Sequence, residues 1–476
     1  MVLARTRTAP QPPHDPRPAL ARLFTDLRRE HGFEPLEVEG RIPAALAGTL
    51  YRNGPARFGN ADGRYGHWFD GDGAISAIRL DGGRAFGAVR HVASWHLDGE
   101  RTSGRTSTLG FATRSGGRLS QLWSVLTGRA RNPANTSVMW WDDRLLALYE
   151  VGRPTEIDPR TLETIGVTDL DGALSSPLSA HPSTAPDGTV YNFGVQVGRV
   201  TTLSLYRMGA RVERVRRIPL DGHPPFVHDF AVTQRYAVFF VAPLEMDTTA
   251  VLFGAKTPLD AISWRPERGT EVIVVPLDAT EPVRRFTTEA FYQWHFANAY
   301  EEGGALVVDF VRYDDFATND YLSALFEVRV PSVAADGVLV RRRIDPMTGA
   351  TTEEVLFDGS CEFPQIPLGD CGRAYEHVYL AAHSAARTRS GFDAIVRVDV
   401  NRGEAVRYDV GPADFVSEPI YADGYLLAHV YDHVAGRTNL TILDAARPDD
   451  APVARCWFDQ PLPPTFHGIW RAAVAS

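Results

Sequence analysis

From about residue 40 to the C-terminus, hydrophobic positions gather into short runs separated by polar, glycine-bearing breaks. Gly48–Arg52, Arg144–Tyr149, Thr189–Phe193, Tyr236–Val241, Ala305–Phe310, Ala394–Asp399 and Tyr425–Val430 are rich in β-branched and aromatic residues. They are too short for helices and read as strands. Asp-Gly and Gly-Gly dipeptides at 62–63, 72–73, 82–83, 171–172, 187–188, 303–304 and 423–424 predict tight connections. Helical periodicity is confined to about residues 18–31 and 119–128. The pattern predicts an all-β sandwich, barrel or propeller. No WD40 or kelch repeat is visible, so periodicity alone does not choose among them.

Composition narrows the partners. Apolar residues make up 44% of the 476, ample for a globular core, and the formal net charge is −10. With no basic run after residue 30, nucleic acid is not an expected partner. Cys361, Cys371 and Cys456 are odd in number and lack CxxC spacing, which predicts neither a disulfide framework nor a zinc site and points to a reducing compartment. Met1–Pro18 is Arg/Pro-rich without an apolar core segment and reads as a flexible tail rather than a signal peptide. The longest apolar stretch, Tyr236–Leu244, falls well short of the roughly 20 residues a membrane helix needs. A cytoplasmic protein is expected, at most peripheral to a membrane.

Four histidines share one kind of setting: Ser-Ala-His181-Pro, Phe-Val-His228-Asp-Phe, Tyr-Gln-Trp-His295-Phe and Thr-Phe-His467-Gly. Neutral imidazole is the commonest protein metal ligand, and four converging rings would hold a transition metal without a charged ligand. Glu150, Glu362 and Glu418 lie in similarly apolar runs, where a buried glutamate needs a partner. In chain order these seven positions are separated by 31, 47, 67, 67, 56 and 49 residues, mostly close to one four-stranded propeller blade each. The spacing implies one anchor on the inner strand of most blades, all directed at a central axis.

These segments resemble the carotenoid cleavage oxygenase family, which includes apocarotenoid and stilbene oxygenases and the retinoid isomerase. The resemblance is carried by Gly48-Thr-Leu-Tyr-Arg-Asn-Gly-Pro55, His67-Trp-Phe-Asp-Gly-Asp-Gly73, Asn135-Thr-Ser-Val, the Glu150 segment, His228-Asp-Phe, His295-Phe-Ala-Asn-Ala, Glu362-Phe-Pro, Ser417-Glu-Pro and Phe466-His-Gly-Ile-Trp470. It runs from about residue 34 onward, in family order. It implies a seven-bladed β-propeller closed between its N- and C-terminal strands, with loops and short helices capping the active-site face. The domain plan is then a flexible tail and short helix over 1–33 and one propeller oxygenase domain over 34–476.

The resemblance further implies one Fe(II) per chain, held by His181, His228, His295 and His467. Glu150, Glu362 and Glu418 would hydrogen-bond the non-ligating nitrogens of three of these rings. The implied reaction is oxidative cleavage of one alkene C=C bond with O2, giving two carbonyl products. Phe226, Trp294, Phe296, Phe363 and Phe466 adjoin the ligands and are candidates for a substrate tunnel, or else propeller core. Leu119–Leu126 and Leu244–Trp264 are candidates for an apolar, membrane-contacting mouth.

Family members that cleave hydroxystilbenes are expected to use a Tyr/Lys pair, and the sole lysine here is Lys256. A carotenoid or apocarotenoid substrate is therefore expected, with a stilbene or phenylpropenoid as the alternative. A non-catalytic ligand-binding propeller is the rival from another class. His96-Leu-Asp98 offers the HxD of a facial triad, and Asp70-Gly-Asp72-Gly73 the start of a calcium loop, although a hairpin turn explains it more simply. No GxSxG elbow, P-loop or dinucleotide glycine motif occurs.

Overall fold

The computed structural model describes residues 15–473 apart from 61, 98, 100–109, 114–130, 221–225, 333–335, 385–390 and 412. Seven antiparallel sheets surround one axis as the blades of a propeller. Blades 2 to 6 are simple four-stranded meanders whose first strand is innermost. These inner strands are Ser137–Trp141, Ser183–Thr184, Ala231–Val232, Tyr292–Glu302 and Cys361–Gln365. Blade 7 begins on the axis with Phe415–Val416 and Ile420–Ala422.

The two ends of the chain interlock. Blade 1 takes its innermost strand, Gly468–Ala472, from the C-terminus, paired to Gly48–Arg57 with Tyr51 opposite Ile469. Blade 7 takes its outermost strand, Glu37–Gly40, from the N-terminus, paired to Ala454–Trp457 with Val38 opposite Cys456. Pairing the two ends of the chain at an inner and an outer position ties them together and closes the ring, leaving only the short outer edges typical of a propeller.

Blades are packed on both faces, which explains why the strand runs are continuously apolar rather than alternating. Tyr236–Val241 is buried residue after residue except at its last position. Val238, Phe240, Val272 and Val274 of blade 4 pack on Leu306, Val308, Phe310 and Val340 of blade 5. Each such side chain contributes about 1.5–3 kcal/mol by leaving water.

Three local expectations are corrected. The helix expected over 18–31 spans only Arg17–Leu23. Beyond it blade 1 captures the chain: Leu27 N donates to Ala56 O and the Asp26 carboxylate accepts from Phe58 N. His31–Pro35 is already a strand of blade 1, so the expected boundary between residues 33 and 34 falls inside that strand. The turn expected at Asp72-Gly73 is instead the start of the strand Asp72–Asp81. Gly73 is needed there because a Cβ would stand 2.4 Å from the Ala134 carbonyl oxygen.

Both aspartates of the supposed calcium loop are consumed internally. Asp70 accepts from Phe111 N, Ala112 N and Thr113 Oγ1, pinning a loop of the cap. Asp72 accepts from Arg131 at 2.5 Å, His96 Nε2 at 2.8 Å and Tyr65 Oη at 2.9 Å. Despite burial, Arg131 and His96 hold the Asp72 carboxyl well below the usual range. His96 Nε2 is thus taken up by the Asp72 carboxylate, and Asp98 of the HxD reading lies outside the described residues, as does the helix expected at 119–128.

Candidate metal centre

The inner strands all start at the capped face, and most of the seven anchors sit at those starts. His181, His228 and His467 directly precede or nearly precede the inner strands of blades 3, 4 and 1, and His295 lies near the start of blade 5's. Glu362 lies within the inner strand of blade 6, and Glu418 stands between the two inner segments of blade 7. Glu150 is the exception. It follows the second strand of blade 2, Arg144–Leu148, while the matching inner position is taken by Thr136, whose carbonyl accepts from His467 N at 3.3 Å.

The four imidazoles meet at one point. His295 Nε2 is 3.3 Å from His228 Nε2 and 3.2 Å from His467 Nε2. The His181 ring centroid lies 4.3, 5.1 and 4.8 Å from those of His228, His295 and His467. Metal–nitrogen bonds of about 2.1 Å would set neighbouring nitrogens about 3.0 Å apart at right angles and about 3.4 Å apart at tetrahedral angles. The observed spacing falls between these.

Proton placement gives a second, independent fit. The Nδ1 atoms of three rings face carboxylates: His295 to Glu362 Oε2 at 2.5 Å, His467 to Glu418 Oε1 at 2.9 Å, and His228 to Glu150 in an ion-pair contact. With protons on Nδ1, the Nε2 atoms present lone pairs to one another, an arrangement that repels unless a cation stands between them. His181 Nε2 is buried with no hydrogen-bond partner. Burial and the neighbouring rings hold the His181 pKa well below the imidazole range, keeping a lone pair available.

The carboxylates are embedded unequally. Glu418 Oε1 also accepts from Gln365 Nε2, and Oε2 accepts from Gly468 N, each at 2.9 Å. Arg52, 0% exposed, lies 3.8 Å from Oε2 and bonds the Glu418 and Phe466 carbonyls, so it ties the glutamate to the strand bearing His467. Burial lowers the Arg52 guanidinium to about 10, still cationic at neutral pH. Burial opposes charge on Glu418, yet His467 and Arg52 hold it below the usual glutamate range. Glu362 Oε1 accepts from Tyr313 Oη at 3.2 Å. Burial pushes Asp229, beside His228, up to about 6; its oxygens accept from Phe230 N and Phe296 N.

The aromatic candidates divide between the two sides of the centre. Trp294 meets His228 edge-on at 4.7 Å, Phe226 stacks on His228 at 6.2 Å, and Phe466 reaches Phe69 of the cap at 5.6 Å. Phe363 lies beyond the four histidines, its ring stacked on His295 at 5.3 Å. Its backbone has φ +54°, a left-handed conformation rare for an aromatic residue and costing about 1–3 kcal/mol. Phe296 packs into the blade 4–5 core against Phe240 at 5.0 Å.

Arg52, Gln365 and Tyr313 were not singled out by sequence. Arg52 had a signal, a charge inside an apolar strand run; Gln365 and Tyr313 had none, because strand pairing and blade packing bring them to the glutamates.

Comparisons with known proteins agree with this geometry. The family model described as retinal pigment epithelial membrane protein matches residues 24–472. An apocarotenoid-15,15'-oxygenase of Synechocystis sp. is 32% identical over 461 residues, covering 91% of this chain and 92% of that protein. An isoeugenol monooxygenase of Pseudomonas putida is 28% identical, covering 96% and 98%. The crystal structure of a cobalt-substituted Synechocystis ACO superposes with a TM-score of 0.88 at 30% identity, covering 96% of this chain and 99% of that one. Further relatives include a probable carotenoid cleavage dioxygenase 4 and a carotenoid 9,10(9',10')-cleavage dioxygenase 1 of Arabidopsis thaliana, and the family's chemistry is oxidative alkene cleavage. A closed seven-bladed ring, four converging imidazoles and a match along almost the whole chain lead to one conclusion: this chain belongs to the retinal pigment epithelial membrane protein family of carotenoid cleavage oxygenases.

Proposed function

We propose that the chain is a non-haem Fe(II) dioxygenase that cleaves one C=C bond of a carotenoid or apocarotenoid to two aldehydes, with His181, His228, His295 and His467 holding one iron per chain. The observation that carries this reading is the convergence of four imidazole rings, three of which face glutamates through Nδ1. Imidazole suits iron, zinc and copper alike, so iron rests on the family. Bound iron would supply the means for ground-state O2 to react with a singlet alkene. The protein's own residues do the rest. Glu150, Glu362 and Glu418 fix tautomer and ring orientation and raise ligand basicity. Trp294, Phe226 and Phe466 give the capped side an apolar wall against which a polyene can lie without losing hydrogen bonds to water.

A phenylpropenoid substrate is the second reading, favoured by the isoeugenol monooxygenase, which matches over nearly the whole length of both chains. Against it, Lys256 is exposed on the segment 244–264 and lines no part of the metal centre. Incubation under O2 with an apocarotenal, isoeugenol and a 4-hydroxystilbene, followed by identification of the aldehydes, separates the two. Aromatic aldehydes alone would replace the first reading by the second.

The substrate's apolarity gives the cap a further role. Strands Leu244–Met246 and Ile262–Trp264 pair as a hairpin whose tip exposes Leu252 at 43% and Phe253 at 73%. We assign this tip to membrane contact; Leu119–Leu126 lies outside the described residues. Among those described, no helix is long and apolar enough to cross a membrane. Liposome co-sedimentation should weaken in a Leu252→Ser/Phe253→Ser variant, and equal sedimentation would remove the assignment.

A further inference from the structure

The metal centre has two sides of opposite character. On the capped side stand Trp294, Phe226, Phe466 and Phe69, close-packed rings with little to offer an ion. On the other side runs a cavity of about 690 Å³ along the propeller axis, lined by all seven inner strands and by His181, His295 and His467 themselves. It extends from these ligands to the open face at Leu368, which is 72% exposed, and Asp423.

The lining suits a hydrated cation. Ser183, Thr184, Gln365 and Asp423 place polar side chains along it among apolar ones such as Met139 and Ile420, together with the backbone of the inner strands. About five consecutive residues from each inner strand together with its flanks line it, a length of roughly 16 Å at about 3.3 Å per residue. The volume divided by that length leaves a mean cross-section of about 40 Å², wide enough for an ion with part of its water shell. Arg471 at the mouth is the one guanidinium in the lining; it stacks over Trp140 at 5.1 Å and lies 3.9 Å from Asp143, so its charge is partly answered there. Stripping a divalent ion of its water to pass an aromatic wall is far costlier, because burial in such a medium removes hydration that apolar rings do not replace.

We propose that the axial channel is the route by which the divalent metal ion enters and leaves the four-histidine site, separate from the capped side that receives the apolar substrate. The inference rests on the reading of the histidine cluster as a metal site, and makes Thr184 and Ala297, half-buried on the channel wall, residues of metal exchange rather than of catalysis.

The test follows metal, not turnover. Anaerobically purified holoenzyme is mixed with excess chelator, and release of iron or cobalt is timed by the absorbance of the chelate. Thr184→Trp and Ala297→Trp, plugs from two different blades, should each slow release about tenfold, and slow reloading of the metal-free protein by Fe(II) to match. Cys371 supplies a plug in the unaltered fold, as the one half-buried cysteine and part of the channel lining. A bulky thiol reagent on it should slow exchange, and a Cys371→Ser protein should not respond. Phe316→Trp on the capped side, whose ring lies 6.2 Å from Trp294, should leave the rate within about twofold. Wild-type rates in all the plugged proteins, or metal release only on unfolding, would overturn the proposal. A protein that takes up no metal in any form would instead overturn the proposed function.

Discussion

Glu418 and Glu150 face histidines in the same way and sit in different worlds. The Glu418 side chain is 3% exposed, with Gln365, Gly468 N, His467 and the buried Arg52 around it. The Glu150 side chain is 20% exposed, and His228 is its only ion-pair partner among the described residues. The first carboxylate is part of how blade 7 is joined to the closing strand of blade 1. The second is a bracket added from the end of a neighbouring strand. One corner of the site is therefore structural as well as chemical, and the other is chemical alone.

The comparison predicts a ranked series. Glu418→Ala leaves Arg52 buried without its carboxylate, and breaking a buried pair this way costs about 3–5 kcal/mol. Denaturant unfolding of the metal-free variant should show that loss, and elemental analysis should show the metal gone. Glu150→Ala should weaken metal binding about 10–100-fold while metal-free unfolding barely moves. Equal destabilisation of the metal-free proteins would break the comparison. Smaller still, Tyr313→Phe removes one hydrogen bond to Glu362, worth about 1 kcal/mol, and should be read as a modest drop in metal affinity by competition titration.

The pairs also differ in pH response. Burial opposes charge on His295, but Glu362 outweighs it and raises the pKa. The pair's contribution to the metal-free fold is then complete below about pH 6.5 and is lost as pH rises through the elevated value. Metal uptake, which needs the neutral ring, strengthens over the same window. Burial lowers the His467 pKa despite Glu418, so its contribution is present above about pH 6.5 and fades as pH falls. Stability of the metal-free protein against pH, for wild type and His295→Gln, checks the first sign; an unchanged slope above neutrality in the variant would contradict it.

Much of this was legible in the sequence because propeller geometry repeats. A polar residue interrupting an apolar inner-strand run once per blade marks the axis, and six of the seven anchors obey that rule. Glu150 escaped it because a strand end can reach the same point as a neighbouring strand start. The Asp72-Gly73 dipeptide misled because the glycine serves a close approach to Ala134 rather than a turn. The helix expected to reach residue 31 stopped at Leu23 because Asp26 and Leu27 find partners in blade 1, a tertiary gain that local periodicity does not encode. Arg52 was visible as a motif letter, but its role depends on Glu418, 366 residues away.

The central claim is that four imidazoles from four blades hold one iron. It is tested most directly by the metal content of anaerobically purified protein, wild type beside His295→Ala. The account predicts near-stoichiometric iron in the wild type and its loss in the variant. A wild-type protein that carries no metal and takes up no added Fe(II) would contradict it and leave a ligand-binding propeller as the better description.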